Sequence, residues 1–186
     1  MTNESQIRAA VIAALAERYP GGSFGRTAVM KLCYFLQTLR RVPLGYRFTL
    51  YSYGPFDSDV LSDLDYAEEL GAIHSQVVHF ASGAYGYRIS PTNRADALKE
   101  KAADFLEEYA ADLDWVISEF GSMSSAELEL ASTIVYADRE VLRRGSRQTM
   151  AELVRRVSDV KPHFTQAQIE CMAARFAEKR LLFALA

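Results

Sequence analysis

The stretch GYRFTLYSYGPFDSDVLSDLDYAEELGAI, residues 45–73, turns an extended segment sharply into a helix, and the rest of the chain reads outward from it. Arg47, Thr49, Tyr51 and Tyr53 alternate with Phe48, Leu50 and Ser52, an aromatic and β-branched content that suits a strand with two different faces. Gly54-Pro55 ends that strand, because proline brings no ladder donor. Asp57 or Ser58 then caps a helix with apolar positions Val60, Leu61, Leu64, Ala67 and Leu70, and Gly71 suits the left-handed residue just past its end. The other face carries Asp57, Asp59, Asp63, Asp65, Glu68 and Glu69, with no lysine or arginine between Phe56 and Leu70.

Two helices precede this stretch. Ile7, Ala10, Val11, Ala14 and Leu15 recur at helical spacing from about Ser5 to Arg18 and predict an amphipathic helix that stops at Tyr19-Pro20-Gly21-Gly22. Val29, Leu32, Cys33, Leu36 and Leu39, widened by Tyr34 and Phe35, predict a second helix over 26–40 that touches more than one element. Beyond the opening stretch, residues 73–80 and 85–89 read as the arms of a β-hairpin turning at Ala81-Ser82-Gly83-Ala84. A long helix then starts at Ser90-Pro91 and runs to Gly121 on a stripe of Leu98, Ala102, Phe105, Tyr109, Leu113, Val116 and Phe120. Three capping-box spacings, Ser124 with Glu127, Thr149 with Glu152 and Thr165 with Gln168, open three more helices. The first of these has two apolar stripes and is expected at the centre of the second half; the last runs into Leu181–Ala186, which packs at home or completes a dimer.

These elements give an α+β, mostly helical chain. Residues 1–90 form a winged-helix-like domain with the hairpin as wing, and residues 91–186 a helical domain. A winged helix commonly places its first strand between the first two helices, and here that strand falls one helix later.

With 186 residues and 49% hydrophobic content, the chain can bury a sizeable core. Cys33 and Cys171 sit in helical patterns rather than paired spacings, so both are expected as buried thiols in a reducing compartment. The first twenty residues mix charges through their apolar part, unlike a signal peptide, and no run approaches a membrane span; a cytoplasmic protein is expected. Nucleophile elbow, phosphate loop, dinucleotide fingerprint and paired metal-binding cysteines are all absent. His74 and His79 fall on opposite faces of one strand, so no metal, no cofactor and no catalytic residue is expected.

The net charge of -3 gives no general attraction to nucleic acid. In the usual winged mode the helix before the hairpin enters the major groove, where its six carboxylates would meet phosphates. A protein partner is the better fit, with Tyr53, Pro55, Phe56, Asp59, Asp63 and Asp65 as candidate contacts. The alternative is a DNA-binding regulator, dimeric in one version, that uses Arg143, Arg144, Arg147, Arg155 and Arg156. A third reading takes Arg156 and His163, whose interval matches the arginine–histidine motif of HEPN-type ribonucleases, although Pro162 breaks the helix between them.

The segment from Phe24 to Ile73 resembles the YwgA-like group of bacterial proteins and, more distantly, the Panacea (SocA-like) antitoxin domain. The likeness rests on Lys31-Leu32-Cys33-Tyr34-Phe35, then Tyr53-Gly54-Pro55-Phe56, then the helix ending in Leu70-Gly71. Panacea-type domains are non-catalytic and neutralise paired toxins by direct contact, in one branch by delivering the toxin to a protease. The resemblance therefore implies a non-catalytic bacterial protein-interaction module whose partner is a toxin or defence effector.

Overall fold

A computed structural model of the chain describes residues 3–79, 83 and 85–185. In chain order the elements are α1 (Glu4–Arg18), α2 (Arg26–Leu39), β1 (Thr49–Tyr51), β2 (Gly54–Phe56), α3 (Ser58–Glu69), β3 (Ile73–His79), β4 (Tyr85–Pro91), α4 (Ala95–Lys99), α5 (Ala103–Glu108), α6 (Ala110–Phe120), α7 (Ser125–Arg143), α8 (Met150–Val160) and α9 (Gln166–Glu178). The protein is α+β and mostly helical, and among the described residues its strands pair antiparallel, β1 with β2 and β3 with β4. Among the described residues no helix is long and apolar enough to cross a membrane. The chain divides into two compact units. One takes the chain up to Phe48 together with Asp57–Met123; the other takes Thr49–Phe56 and the chain from Ser124. Residue 90, the expected domain boundary, lies within the first unit, because α4, α5 and α6 all pack on α1.

The first unit is built around α1, which is not amphipathic in its middle: every residue from Ala9 to Ala16 is buried. A run of alanines and β-branched residues lets neighbours approach from all sides, and α3, α4, α6 and β4 do so. α2 packs on α3 and α6, with Phe35 stacked on Phe120 at 3.9 Å between ring centroids. Between α1 and α2, Phe24 makes a two-way backbone bridge to Ile89 of β4, an isolated antiparallel rung that the sequence pattern does not announce. The turn expected at Ala81–Ala84 lies, apart from Gly83, outside the described residues.

Three expectations need correction, the first two in this unit and the third in the Thr49–Phe56 piece of the other. β4 runs on through Pro91, paired with Ile73 at the end of the ladder, so Ser90-Pro91 does not start a helix. The long helix is three segments, broken where Ala102 and Tyr109 leave helical angles; the apolar stripe continues across both breaks, which is why periodicity misses them. The strand expected over 47–53 is confined to Thr49–Tyr51, and Gly54-Pro55, expected to end it, is its partner strand.

The second unit is centred on α7, buried from Leu128 to Val135 and again at Asp138, Arg139 and Val141. α8, α9 and β2 pack on it. All three expected capping boxes are formed, each with reciprocal bonds between the Ser or Thr side chain and the Glu or Gln three residues on. α9 stops at Glu178, and Leu181–Leu185 leaves the helix to pack within this unit, Leu182 and Ala184 buried and Phe183 half exposed. Cys33 is buried as expected, whereas Cys171 is exposed on α9.

Candidate functional site

The acidic helix α3 lies in the first unit, and the structure sorts its carboxylates into two sets. Asp57 is the N-cap: its side chain accepts the Asp59 N–H at 2.9 Å and the Arg47 N–H. Glu68 accepts the Ser75 N–H at 2.7 Å and lies 3.7 Å from His74. Asp63, a candidate contact in the sequence, is only 3% exposed and is withdrawn from the surface. It accepts the Tyr46 hydroxyl at 3.0 Å and sits 2.7 Å from Arg8, whose guanidinium also covers the Tyr46 ring at 4.9 Å. Burial pushes the Asp63 carboxyl up from its ordinary value, while Arg8 and the Tyr46 hydrogen bond pull against it. The same burial raises the Tyr46 hydroxyl, and it pushes the neighbouring Cys33 thiol up to about 12.

Asp59, Asp65 and Glu69 remain exposed. On a helix of about 100° per residue they fall with Ser62 within roughly a third of the circumference. Arg26 lies 3.6 Å from Asp65, with its guanidinium over the Tyr87 ring at 3.7 Å. The burial of Asp63 had a signal: it is three residues after Val60 and four before Ala67, inside the apolar stripe.

The Tyr53-Gly54-Pro55-Phe56 turn belongs to the second unit. Tyr51 and Tyr53 are 67% and 72% exposed, Phe56 is half-buried against Tyr51, and Pro55 is buried, which removes it from the candidate contacts. Proline fits at this inner position because β2 needs no further ladder donor there. Beneath the turn is a polar cluster that the sequence did not single out. Lys161, 2% exposed, donates to the Ser52 carbonyl and pairs with the buried Glu129 at 2.6 Å, and His163 approaches the same carboxylate at 3.3 Å. The available signal was positional: Lys161 continues the Leu153, Val157 spacing of the buried α8 face. Gly54 has φ +87°, and a Cβ there would stand 3.0 Å from Ser132 Oγ and 3.1 Å from Thr133 Oγ1.

The arginines proposed for nucleic acid are spread over several duties. Arg143 and Arg144 share Glu140, and Arg147 donates to the carbonyls of Phe183 and Leu185. Arg155 and Arg156 are exposed and make no ion pair among the described residues. Arg144 and Arg156 border a groove of about 350 Å³ together with Glu140 and Asp159, so its rim carries both signs. Arg156 and His163 thus have different surroundings, the groove for one and Glu129 for the other. A second groove of about 580 Å³ runs between α7 and α9, floored by Leu130, Phe164 and Met172 and edged by Cys171 and Arg175. Among the described residues no three His, Cys, Asp or Glu side chains gather as a metal would require.

No protein-family model matches the sequence. The chain is similar to the Bacillus subtilis (strain 168) protein whose name is "Uncharacterized protein YwgA", at 28% identity over 118 residues, which is 63% of this chain and 68% of that protein.

Proposed function

We propose that this chain is a non-catalytic protein-interaction module, antitoxin-like in action, whose first unit is a winged helix and meets a basic protein partner through the outer face of α3. The observation that carries this reading is the exposed trio Asp59, Asp65 and Glu69 on a helix with no lysine or arginine of its own. The winged-helix assignment is supported by the order α1, α2, α3, hairpin, and by the Phe24–Ile89 rung, which occupies the place between the first two helices where a winged helix carries its first strand. In that fold α3 is the helix that would enter a DNA groove, and carboxylates there repel phosphate, while exposed carboxylates steer a cationic protein surface. The partner class is a toxin or defence effector with a lysine- or arginine-rich face.

Reversing Asp59 and Asp65 to Lys tests this directly, and Asp63 is left out because its charge is buried against Arg8. Pull-down of the partner from the native host should be lost with the double variant, with its circular dichroism unchanged. Retained capture by a folded Asp59→Lys/Asp65→Lys protein would remove α3 from the interface.

One observation favours a second reading. Arg155 and Arg156, exposed and with no carboxylate within salt-bridge distance among the described residues, are available to phosphates although both lie in the field of Glu152, so DNA binding through the second unit is the alternative. Band shifts at rising salt separate the two, because phosphate contacts by arginine weaken steeply with ionic strength.

A further inference from the structure

Strand β3 has one side paired with β4 and the other side to itself. Which residues face which way follows from bonds that leave the hairpin. The Ser75 N–H donates to Glu68 at 2.7 Å, and Ile89, its partner across the ladder, exchanges both main-chain bonds with Phe24. Ser75 and Ile89 are therefore a pair that makes no bond across the ladder, and in an antiparallel sheet such pairs recur at every second position. Val77 and His79 belong to the same set, so their N–H and C=O groups point away from β4, and among the described residues these groups have no hydrogen-bond partner.

An edge of this kind is a template for another strand, and proteins commonly blunt it with a lysine, a proline or a bulge. β3 carries none of these guards. From Gly71 to Tyr87 the chain has no Asp, Glu, Lys, Arg or Pro, and the register against β4 is unbroken from Ile73 to His79. Val77 is 50% exposed, and Val78 stands opposite Gly86, which has no side chain to cover it. The other end of the edge is closed: Glu68 holds the Ser75 N–H, so an incoming strand is left with Val77 and His79. Whatever fills the edge must be extended, free of charge and apolar opposite Val78. β3 of a second copy meets each condition. With the two strands antiparallel about a two-fold axis at Val78, Val77 of each copy exchanges both main-chain bonds with His79 of the other, Val78 packs on Val78, and the Ser75–Glu68 bond stays intact. Moving the axis inward to Val77 would set Ser75 against His79 and compete with Glu68, so the closed end selects the register.

We infer that the free edge of β3 at Val77–His79 is a dimer interface, and that the partner it takes is the same edge of a second copy of this chain, joined antiparallel about Val78. This edge is separate from the exposed carboxylates of α3, and neither assignment needs the other. Hydrogen exchange of the wild-type chain tests the edge without any substitution. Between about 10 μM and about 1 mM protein, the Val77 and His79 amides should slow at least about tenfold, while the Val78 amide, bonded to β4 at every concentration, should change little. Rates at Val77 and His79 that do not depend on concentration would overturn the inference. Sedimentation over the same range should show a reversible dimer; a chain that stays monomeric would hand the edge to another protein's strand and so overturn it as well. Engineered thiols test the register, with the exposed Cys171 first removed as Cys171→Ser. Val78→Cys places its thiol and that of the second copy across a narrow pair whose Cα atoms are about 4.5 Å apart, within disulfide reach. Gln76→Cys, on the same face of the strand, lies about 13 Å along it from its own mate and is out of reach. Mild oxidation should give disulfide-linked dimer at least about tenfold faster from Val78→Cys than from Gln76→Cys. Equal rates, or no dimer from a folded Val78→Cys chain, would contradict the two-fold at Val78.

Discussion

At Gly54 two demands meet on one backbone position, a left-handed φ and a Cβ site already occupied by the hydroxyls of Ser132 and Thr133. Gly54→Ala is therefore expected to cost about 1–3 kcal/mol, seen as a lower urea midpoint. The sequence marked the Gly-Pro pair as a turn, but the close approach to α7 comes from residues almost eighty positions away and leaves no local trace. Asp63 was half legible: its place in the apolar stripe of α3 is visible, but its ion partner Arg8 and its hydrogen-bond donor Tyr46 come from other parts of the chain. The two cysteines separate in the same way, since helical spacing looks alike for a buried and an exposed position. Cys33 is fully buried with its thiol pushed up to about 12, and Cys171 is exposed, so native protein at pH 8 should titrate one thiol with a disulfide reagent and denatured protein two. Two equivalents from the native protein would mean that α2 opens on the timescale of the assay.

Among the elements, α7, α8 and α9 were the most legible, because each capping box fixes a helix start through a contact only three residues long. The β1–β2 hairpin was the least. Its strands are three residues each, too short for alternation to decide, and it is fastened from outside by Lys161. That fastening is a buried ion pair. Removing one partner leaves a desolvated charge behind, whereas removing both leaves little unsatisfied. Lys161→Met should cost about 3–5 kcal/mol of unfolding free energy, and adding Glu129→Gln should restore most of it. A double variant as unstable as the single one would show that Lys161 acts chiefly through the Ser52 carbonyl. α1 was misread for a different reason: alanine counts weakly in any hydrophobic stripe, so a helix buried on all sides looked one-sided.

Over the whole molecule, charge is divided unevenly. The first unit has sixteen acidic against eleven basic residues and the second eight against ten, so a polyanion would meet its resistance in the first unit. The division itself leaves no trace in composition, because the second unit takes in Thr49–Phe56, a piece too short to carry a composition shift. The proposed interface requires α3 to present Asp59, Asp65 and Glu69 to a cationic protein surface. The most direct measurement is a titration of the ¹⁵N-labelled chain at low salt with an oligolysine peptide and, separately, with duplex DNA. A basic-partner surface should move the amides of Asp59, Asp65 and Glu69 with the peptide and leave them in place with DNA. Shifts of those same amides with DNA, and none with the peptide, would contradict it.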